Sequence, residues 1–562
     1  MGESKPGLFA REATGLVREV GFMLGVIIIM SHVVGLGWQK RAFQFTGPRP
    51  VPTDQLPLGL PAIFWAFLIC GIIVMITGYA AGYVTAAMPR SGGGYVTISR
   101  VIHPVVGYNA GWLMFLAEAF SYGLIGVAVF EAIMIFFNVA LAPTVIDFGP
   151  EILFLGGVVI ILIFTALALF GVRLYGWLMH GMFWPTLVIT IAFFAMWIAG
   201  AMDPSVVATG VETVMEAPPS TFMTLAINSG MADNIASFGD AFSYALAGAF
   251  WAYMGWYSVT FIAGEVKEAN KKLPMVVLFS GFIIMLIYLG SSSFSAISTM
   301  GVEKTTIAGH DWSFFQAYSW LSYADAGKAA ATAIPNFQPA WSTGIASIIA
   351  RGMDLDWLSM IIAVAGVLWL ANDIPPFLLV ASRTFFAMSF DKMMPEKFAE
   401  VSEKWHSPTW SLIITGIFGV VGCLAEANPA IGDISLGGYV QFAGVVGTDI
   451  FDAAFLTLFC VSMMLLPLER KEIYDRAAVK HSVGAVVGLG AIASLLAGYC
   501  LWTFTKESVG FMFAPSGTED LVSSIGFWGC IAVGILLYVY YMYRNTTKGV
   551  DMRTLYLSIP PE

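Results

Sequence analysis

The sequence predicts an all-α membrane protein of twelve transmembrane helices, and three observations carry that expectation. Of its 562 residues, 58% are hydrophobic and only 11% are charged, against about 25% charged in an ordinary soluble domain. Apolar runs recur twelve times along the chain, set against the roughly 20 residues that a spanning helix needs. Two of those runs, the first and the sixth, are interrupted by glycine.

In chain order the runs lie near 18–40, 60–87, 104–137, 152–170, 174–201, 241–266, 273–299, 355–390, 408–426, 435–467, 482–503 and 523–543. An even count puts both ends of the chain on one side, and the distribution of Lys and Arg selects that side. With residues 1–17 as a cytoplasmic tail, the cytoplasmic segments hold 20 of the 27 basic residues, from Lys5 and Arg11 to Arg544, Lys548 and Arg553. The outer segments hold Lys40, Arg41, Arg49, Lys304, Lys328, Arg351 and Lys506. Spans 1–5 (18–201) and spans 6–10 (241–467) then form two groups of five. Between the groups lies an outer segment, 202–240, and inside the second lies another, 301–353. A cytoplasmic loop, 468–481, leads to two peripheral spans (482–543) and a tail, 544–562. Segments as long as the two outer ones are often lids, and "SFFQAYSWLSYADAGKAAA" in the second reads as helical.

The net charge of −10 owes much to outer-loop acids such as Asp203, Glu212, Glu216, Asp311 and Asp325, which argues against nucleic acid as a partner. Cys70, Cys423, Cys460, Cys500 and Cys530 all fall inside the runs without CxxC or CxxH spacing, so neither a disulfide framework nor a metal site is signalled. No cofactor is implied. The first run lacks a small-residue cleavage site and is read as a retained span.

The interruptions need a reason, because a glycine inside a helix costs roughly 0.5–1 kcal/mol relative to alanine and unpaired backbone in hydrocarbon finds no water. "SHVVGLGWQK" carries His32, Gly35 and Gly37, and "FWAYMGWYSVTFIAGEVKEANKKLP" carries Gly255. Spans 1 and 6 open the two groups of five. Interrupted helices at matching positions of two inverted repeats point to a substrate site near the bilayer midplane. A helix that restarts there offers free N–H groups to a carboxylate, and one that stops offers carbonyls to an ammonium. An α-amino acid carries both groups. For any single glycine, close helix packing is the competing explanation, and the pairing of positions outweighs it.

Four stretches, "REVGFMLGVIIIMSHVVGLGW", "MPRSGGGYVTISR", "FWAYMGWYSVTFIAGEVKEANKKLP" and "ASRTFFAMSFDKMMPEKFAEVSEKWHSPTW", resemble in order the signature regions of the amino acid, polyamine and organocation (APC) transporter superfamily. The resemblance covers about the first ten spans. It implies the leucine-transporter-type fold, an inverted five-plus-five repeat with discontinuous helices 1 and 6 and two peripheral helices. It also implies that the N–H groups of Leu36 and Gly37 receive a substrate carboxylate, with Gly35 making the turn. The carbonyls of Val33, Trp251 and Met254 would receive the amino group. Trp251 matches the family's outer lid aromatic, and Glu265 matches an acid of the inner gate. The chain departs from the family where Ser31 and His32 replace small residues, where Glu268 and Ala269 replace Asn-Pro, and where span 5 lacks the lysine of some proton-coupled relatives.

Ionisable residues within the spans are functional candidates, since a charge at mid-membrane costs at least about 2.5 kcal/mol. His32, Glu118, His180, Asp373, Asp449 and Asp452 qualify, with Glu131 and His180 placed near span ends. Each can equally be a hydrogen-bonded side chain facing the bundle. Asp373 leads, because "LANDIPPF" sets Asn372 and Asp373 where the family's hydroxyl residues face a cation site beside the span 1 break. Pro375 and Pro376 free carbonyls nearby, though a kink needed for packing would explain them too. His32, Glu118, Asn372 and Asp373 are the coupling candidates, and Ser31, Val34, Asn372 and Asp373 form a candidate sodium site.

The expectation is therefore a secondary active transporter of the cell membrane that takes up an amino acid or related small amine with a proton. Within that class, sodium coupling or substrate exchange is the alternative. Outside it stands an amino acid sensor without transport, for which tails of 17 and about 19 residues leave little room for a regulatory domain. Spaced metal ligands, a nucleophile elbow and a phosphate loop are all missing, so an enzyme is not expected. Ser31, His32, Glu118, Tyr253 and Trp256 are the pocket-facing candidates; with Gly255 they mix polar and aromatic character.

Overall fold

The computed structural model describes residues 14–143, 146 and 148–561; Lys5 and Arg11 lie outside them. Among the described residues, eleven helical segments are long and apolar enough to cross a membrane. They coincide with eleven of the twelve expected runs. Residues 241–266 are the exception, and their departure from a helix shapes the site.

The first run is split into α1 (Phe22–Val33) and α2 (Leu36–Gln44). At the join Gly35 adopts φ −112° and ψ −111°, outside the regions comfortable for a residue with a Cβ. Next come α3 (Ala62–Ala87), the short α4 (Gly93–Val101), α5 (Pro104–Leu141), α6 (Pro150–Ala168) and α7 (Val172–Met202). The 202–240 segment folds into α8 (Pro204–Met215) and α9 (Pro219–Asn228).

The sixth run begins as α10 (Phe238–Tyr253), only 16 residues long. Met254 is extended and Gly255 takes φ +92°. The chain does not resume an α-helix there, as a simple interruption would; it continues as two 3-10 turns, Ser258–Phe261 and Ala263–Glu265. β-Branched Val259, Thr260 and Ile262 disfavour helix, and the turns close their own bonds, from Ser258 N–H to the Gly255 carbonyl (2.9 Å) and from Thr260 N–H to that of Tyr257 (2.9 Å).

After α11 (Ala269–Met300), the 301–353 segment forms an antiparallel hairpin of β1 (Lys304–Ile307) and β2 (His310–Ser313), with Ile307 opposite His310. Its helical-looking stretch is α12 (Phe314–Tyr323), opened by a Ser313–Gln316 capping box, and α13 (Asp325–Ala331). The buried α14 (Ser342–Gly352) follows. The eighth run divides into α15 (Asp356–Ala371) and α16 (Ile374–Phe390) at Asn372 and Asp373. Pro375 and Pro376 cannot donate to the carbonyls four residues back. Then come α17 (Thr409–Ala427), the two-residue strands β3 (Ala430–Ile431) and β4 (Ile434–Ser435), and α18 (Val445–Glu469). The chain closes with α19 (Lys471–Arg476), α20 (Val483–Phe513), α21 (Thr518–Thr547) and α22 (Met552–Leu557).

α5 is the axis of the bundle and packs against α15, α16, α17 and α18, while α1 lies on α7, α11 and α16. The outermost helices carry exposed apolar residues, such as Leu155 and Leu162 on α6 and Ile525 and Leu536 on α21. Such faces suit lipid, where a helix has satisfied its backbone internally. The five cysteines are free.

Candidate functional site

Both interrupted runs line one small cavity of about 40 Å³. α1 and α2 contribute His32, Val33, Leu36 and Gly37, and the sixth run contributes Trp251, Ala252, Met254 and Gly255. Glu118 enters from α5, Asp373 and Phe377 from the α15–α16 join, and Thr448, Asp449 and Asp452 from α18. The cavity is small because its glycines let the walls approach. A Cβ on Gly35 would lie 2.2 Å from Asp373 Oδ2, and one on Gly37 would lie 2.7 Å from both Ala252 Cβ and the Tyr288 hydroxyl. Gly35 and Gly255 are thus backbone hinges. Gly37, inside α2, is instead the contact point between α2 and α10.

The backbone groups at the breaks are partly committed. The Val33 carbonyl accepts from Gly35 N–H (2.9 Å) and from the Tyr288 hydroxyl, whose one proton it shares with the Ala252 carbonyl (2.7 Å). The Trp251 carbonyl accepts from Met254 N–H (3.0 Å). Tyr288, on α11, therefore ties the two breaks together through its single hydroxyl. Gln39, fully buried, fastens α2 to α15 and α14, donating to the Gly366 carbonyl (3.2 Å) and accepting from Thr343 (2.8 Å).

The ionisable groups form a series across the cavity. His32 Nε2 is 3.4 Å from Glu118 Oε2, without the alignment of a hydrogen bond. Glu118 is close enough to act electrostatically on both Asp373 and Asp452, and Asp452 acts on Asp449. The Tyr257 hydroxyl donates to Asp452. Asn372 Nδ2 donates to Ser31 Oγ (2.7 Å), leaving Asn372 Oδ1 and Asp373 Oδ1 buried without a hydrogen-bond partner among the described residues. Val34 is fully buried beside the join.

Two ends bound the site. Near one, the Arg41 guanidinium stacks 3.8 Å from the Trp251 ring centroid, within electrostatic reach of Asp449 and Glu426. At the other end of the first run, Arg383 holds Glu265 by Nε–Oε1 (2.9 Å) and Nη2–Oε2 (3.2 Å), with both side chains 1% exposed. Backbone pairing of Val20 with the strand-like residues after Glu265 closes the same end, through Val20 N–H to the Glu265 carbonyl (2.9 Å) and Lys267 N–H to that of Val20 (2.8 Å).

Several expected residues lie elsewhere. Tyr253 turns to α3, donating to the Phe67 carbonyl (3.0 Å), and Trp256 packs against Gly78 of α3. Ser31, Val34, Gly35 and Asn372 stand behind the lining rather than in it. Glu131, on α5, pairs with Lys40 (3.2 Å), and His180, on α7, is hydrogen-bonded to Trp184 (3.0 Å). Arg41, Tyr288, Tyr257 and Phe377 were not anticipated.

A helical, multi-pass membrane protein with a buried polar cavity at paired helix breaks is the class that fold and site define. The chain belongs to the amino acid permease family, whose model matches residues 57–550, and so to the APC superfamily. It is 24% identical over 281 residues to the b(0,+)-type amino acid transporter 1 of Oryctolagus cuniculus, covering 50% of this chain and 51% of that protein. It is 20% identical over 307 residues to the serine/threonine exchanger SteT of Bacillus subtilis (strain 168), covering 53% and 60%. With the methylthioribose transporter of the same bacterium it shares 22% identity over 494 residues, 86% of this chain and 87% of the relative. The chain thus spans about half the length of the b(0,+)-type relatives it matches.

Proposed function

We propose that this protein is a secondary active transporter that takes up an amino acid or related small amine across the cell membrane, coupled to protons. One observation carries the reading: two broken runs line a single buried cavity together with His32, Glu118 and Asp373. The family and the transporter names of its relatives support it. On this reading the chain has twelve spans in an inverted five-plus-five arrangement, with repeats at 18–201 and 241–467 and both termini cytoplasmic. Trp251 with Arg41 forms the outer gate and Glu265 with Arg383 the inner one.

Asp373 is the coupling group in this scheme, because its carboxylate touches the α1–α2 hinge and lines the cavity. A change in its charge therefore acts on the hinge and the ligand together. Sodium coupling is the second reading, favoured by the unpartnered Oδ1 atoms of Asn372 and Asp373 beside Ser31.

The test is reconstitution into liposomes with labelled amino acids and amines under an imposed inward proton gradient in sodium-free buffer. Uptake should follow the gradient, and Asp373→Asn should lose that response, since the amide imitates only the protonated acid. His32→Gln belongs in the same series. Strict sodium dependence with no response to protons would overturn proton coupling.

A further inference from the structure

The charge of the cavity is one-sided. Glu118, Asp373, Asp449 and Asp452 line it against a single imidazole, His32. Arg41 lies outside the lining, stacked on Trp251 and already facing Asp449 and Glu426. Two of the acids keep an oxygen free of hydrogen bonds among the described residues, although Glu118 Oε2 faces His32 Nε2 at 3.4 Å. Glu118 (3% exposed) and Asp373 (4% exposed) each bury an oxygen without a hydrogen-bond partner among the described residues.

The second observation concerns where a substrate carboxylate would go. The N-terminus of α2 is the anion-favouring end of the first break, and Gly35 is its N-cap. Asp373 is already packed against Gly35, with Oδ2 2.2 Å from the position of a Cβ there. The chain has placed its own carboxylate beside the anion end, and an incoming one would meet Asp373 there. Across the site, the carbonyl end is weakened too, since Val33 already accepts two hydrogen bonds.

We infer that this cavity recognises its substrate as an organic cation, a small amine without a carboxylate of its own, whose ammonium is held between Asp373 and Glu118. The inference rests on the reading of the cavity as the substrate site. Asp373 then holds both hinge and ligand: it sits on Gly35 while presenting an oxygen to the ammonium. Charge-assisted hydrogen bonds to two carboxylates are the strong kind, and an amine satisfies buried oxygens that a zwitterion would crowd.

Matched pairs of an amino acid and its decarboxylated amine test this: leucine with 3-methylbutylamine, and lysine with cadaverine. Thermal shift of the purified protein and competition for counterflow in liposomes are read for all four. The amine of each pair should raise Tm and compete at concentrations about tenfold or more below its amino acid, a difference of one decade in Kd. Glu118→Gln should erase most of that preference, and Asp373→Asn serves if the Glu118 variant does not fold. Equal or tighter binding of the amino acids would overturn the cation reading and leave the transporter standing. Silence from all four compounds in both assays would overturn both.

Discussion

The ring of His32 on α1 is packed against the backbone of Gly255 at the end of α10, where a Cβ would come 2.6 Å from His32 Cγ and 2.7 Å from Cδ2. Together with Asp373 against Gly35, this places an ionisable side chain on the hinge of each broken run. Ligand charge and backbone geometry are thereby read by the same residues.

Gly255→Ala should be destabilising for two separable reasons. At φ +92° a residue with a Cβ carries strain of order 1–3 kcal/mol, and the methyl also meets the imidazole. Adding His32→Ala should recover the steric part and leave the strain. Thermal melts of the single and double variants check this; a single variant as stable as the parent would remove Gly255 as a required hinge.

Gly37→Val should abolish counterflow, through packing rather than backbone strain. Gly37 lies in regular α2, and a Cβ there enters the space of Ala252 Cβ and the Tyr288 hydroxyl. Gly37→Ala should show a milder form of the same defect, with α2 pushed away from α10. Normal transport by the valine variant would show that α2 and α10 need not touch.

The positions of the breaks were legible in sequence because glycines recur in the runs that open the two groups of five, a pairing that packing alone does not require, and Gly35 and Gly255 are where the chain turns. Asp373 was legible because charge within a span is expensive. The direction of Tyr253 was not, since hydropathy says nothing of rotation about the helix axis; its hydroxyl satisfies Phe67 on α3. Arg41 read as an ordinary flanking cation at a span end, and only the fold brings Trp251 beneath it. Tyr288 carries no signal in an apolar run, although its hydroxyl joins both breaks.

Tyr288→Phe should loosen the two breaks from one another. One hydroxyl donates to the carbonyls of Val33 and Ala252, and leaving buried acceptors underserved costs about 1–3 kcal/mol. Hydrogen exchange should rise in residues 33–37 and 252–256 together, with Tm lowered. Exchange confined to one of the two segments would show that the hydroxyl does not couple them.

Glu265→Gln should lower stability far more than a surface charge change, because removing one member of a buried ion pair costs about 3–5 kcal/mol, and here both side chains are 1% exposed. The pair is also positional. Glu265 supplies the carbonyl that holds Val20 at the start of the first run, while Arg383 belongs to α16, which follows the Asp373 join. Breaking it frees that end of both elements, so Glu265→Gln should leak preloaded substrate from liposomes faster as well as melt earlier. Combining it with Arg383→Met removes the stranded guanidinium, and Tm should then recover part of the loss while the leak persists. A double variant that restored both would make the pair a fold element alone, and a single variant with unchanged melting would show that the two charges are not coupled.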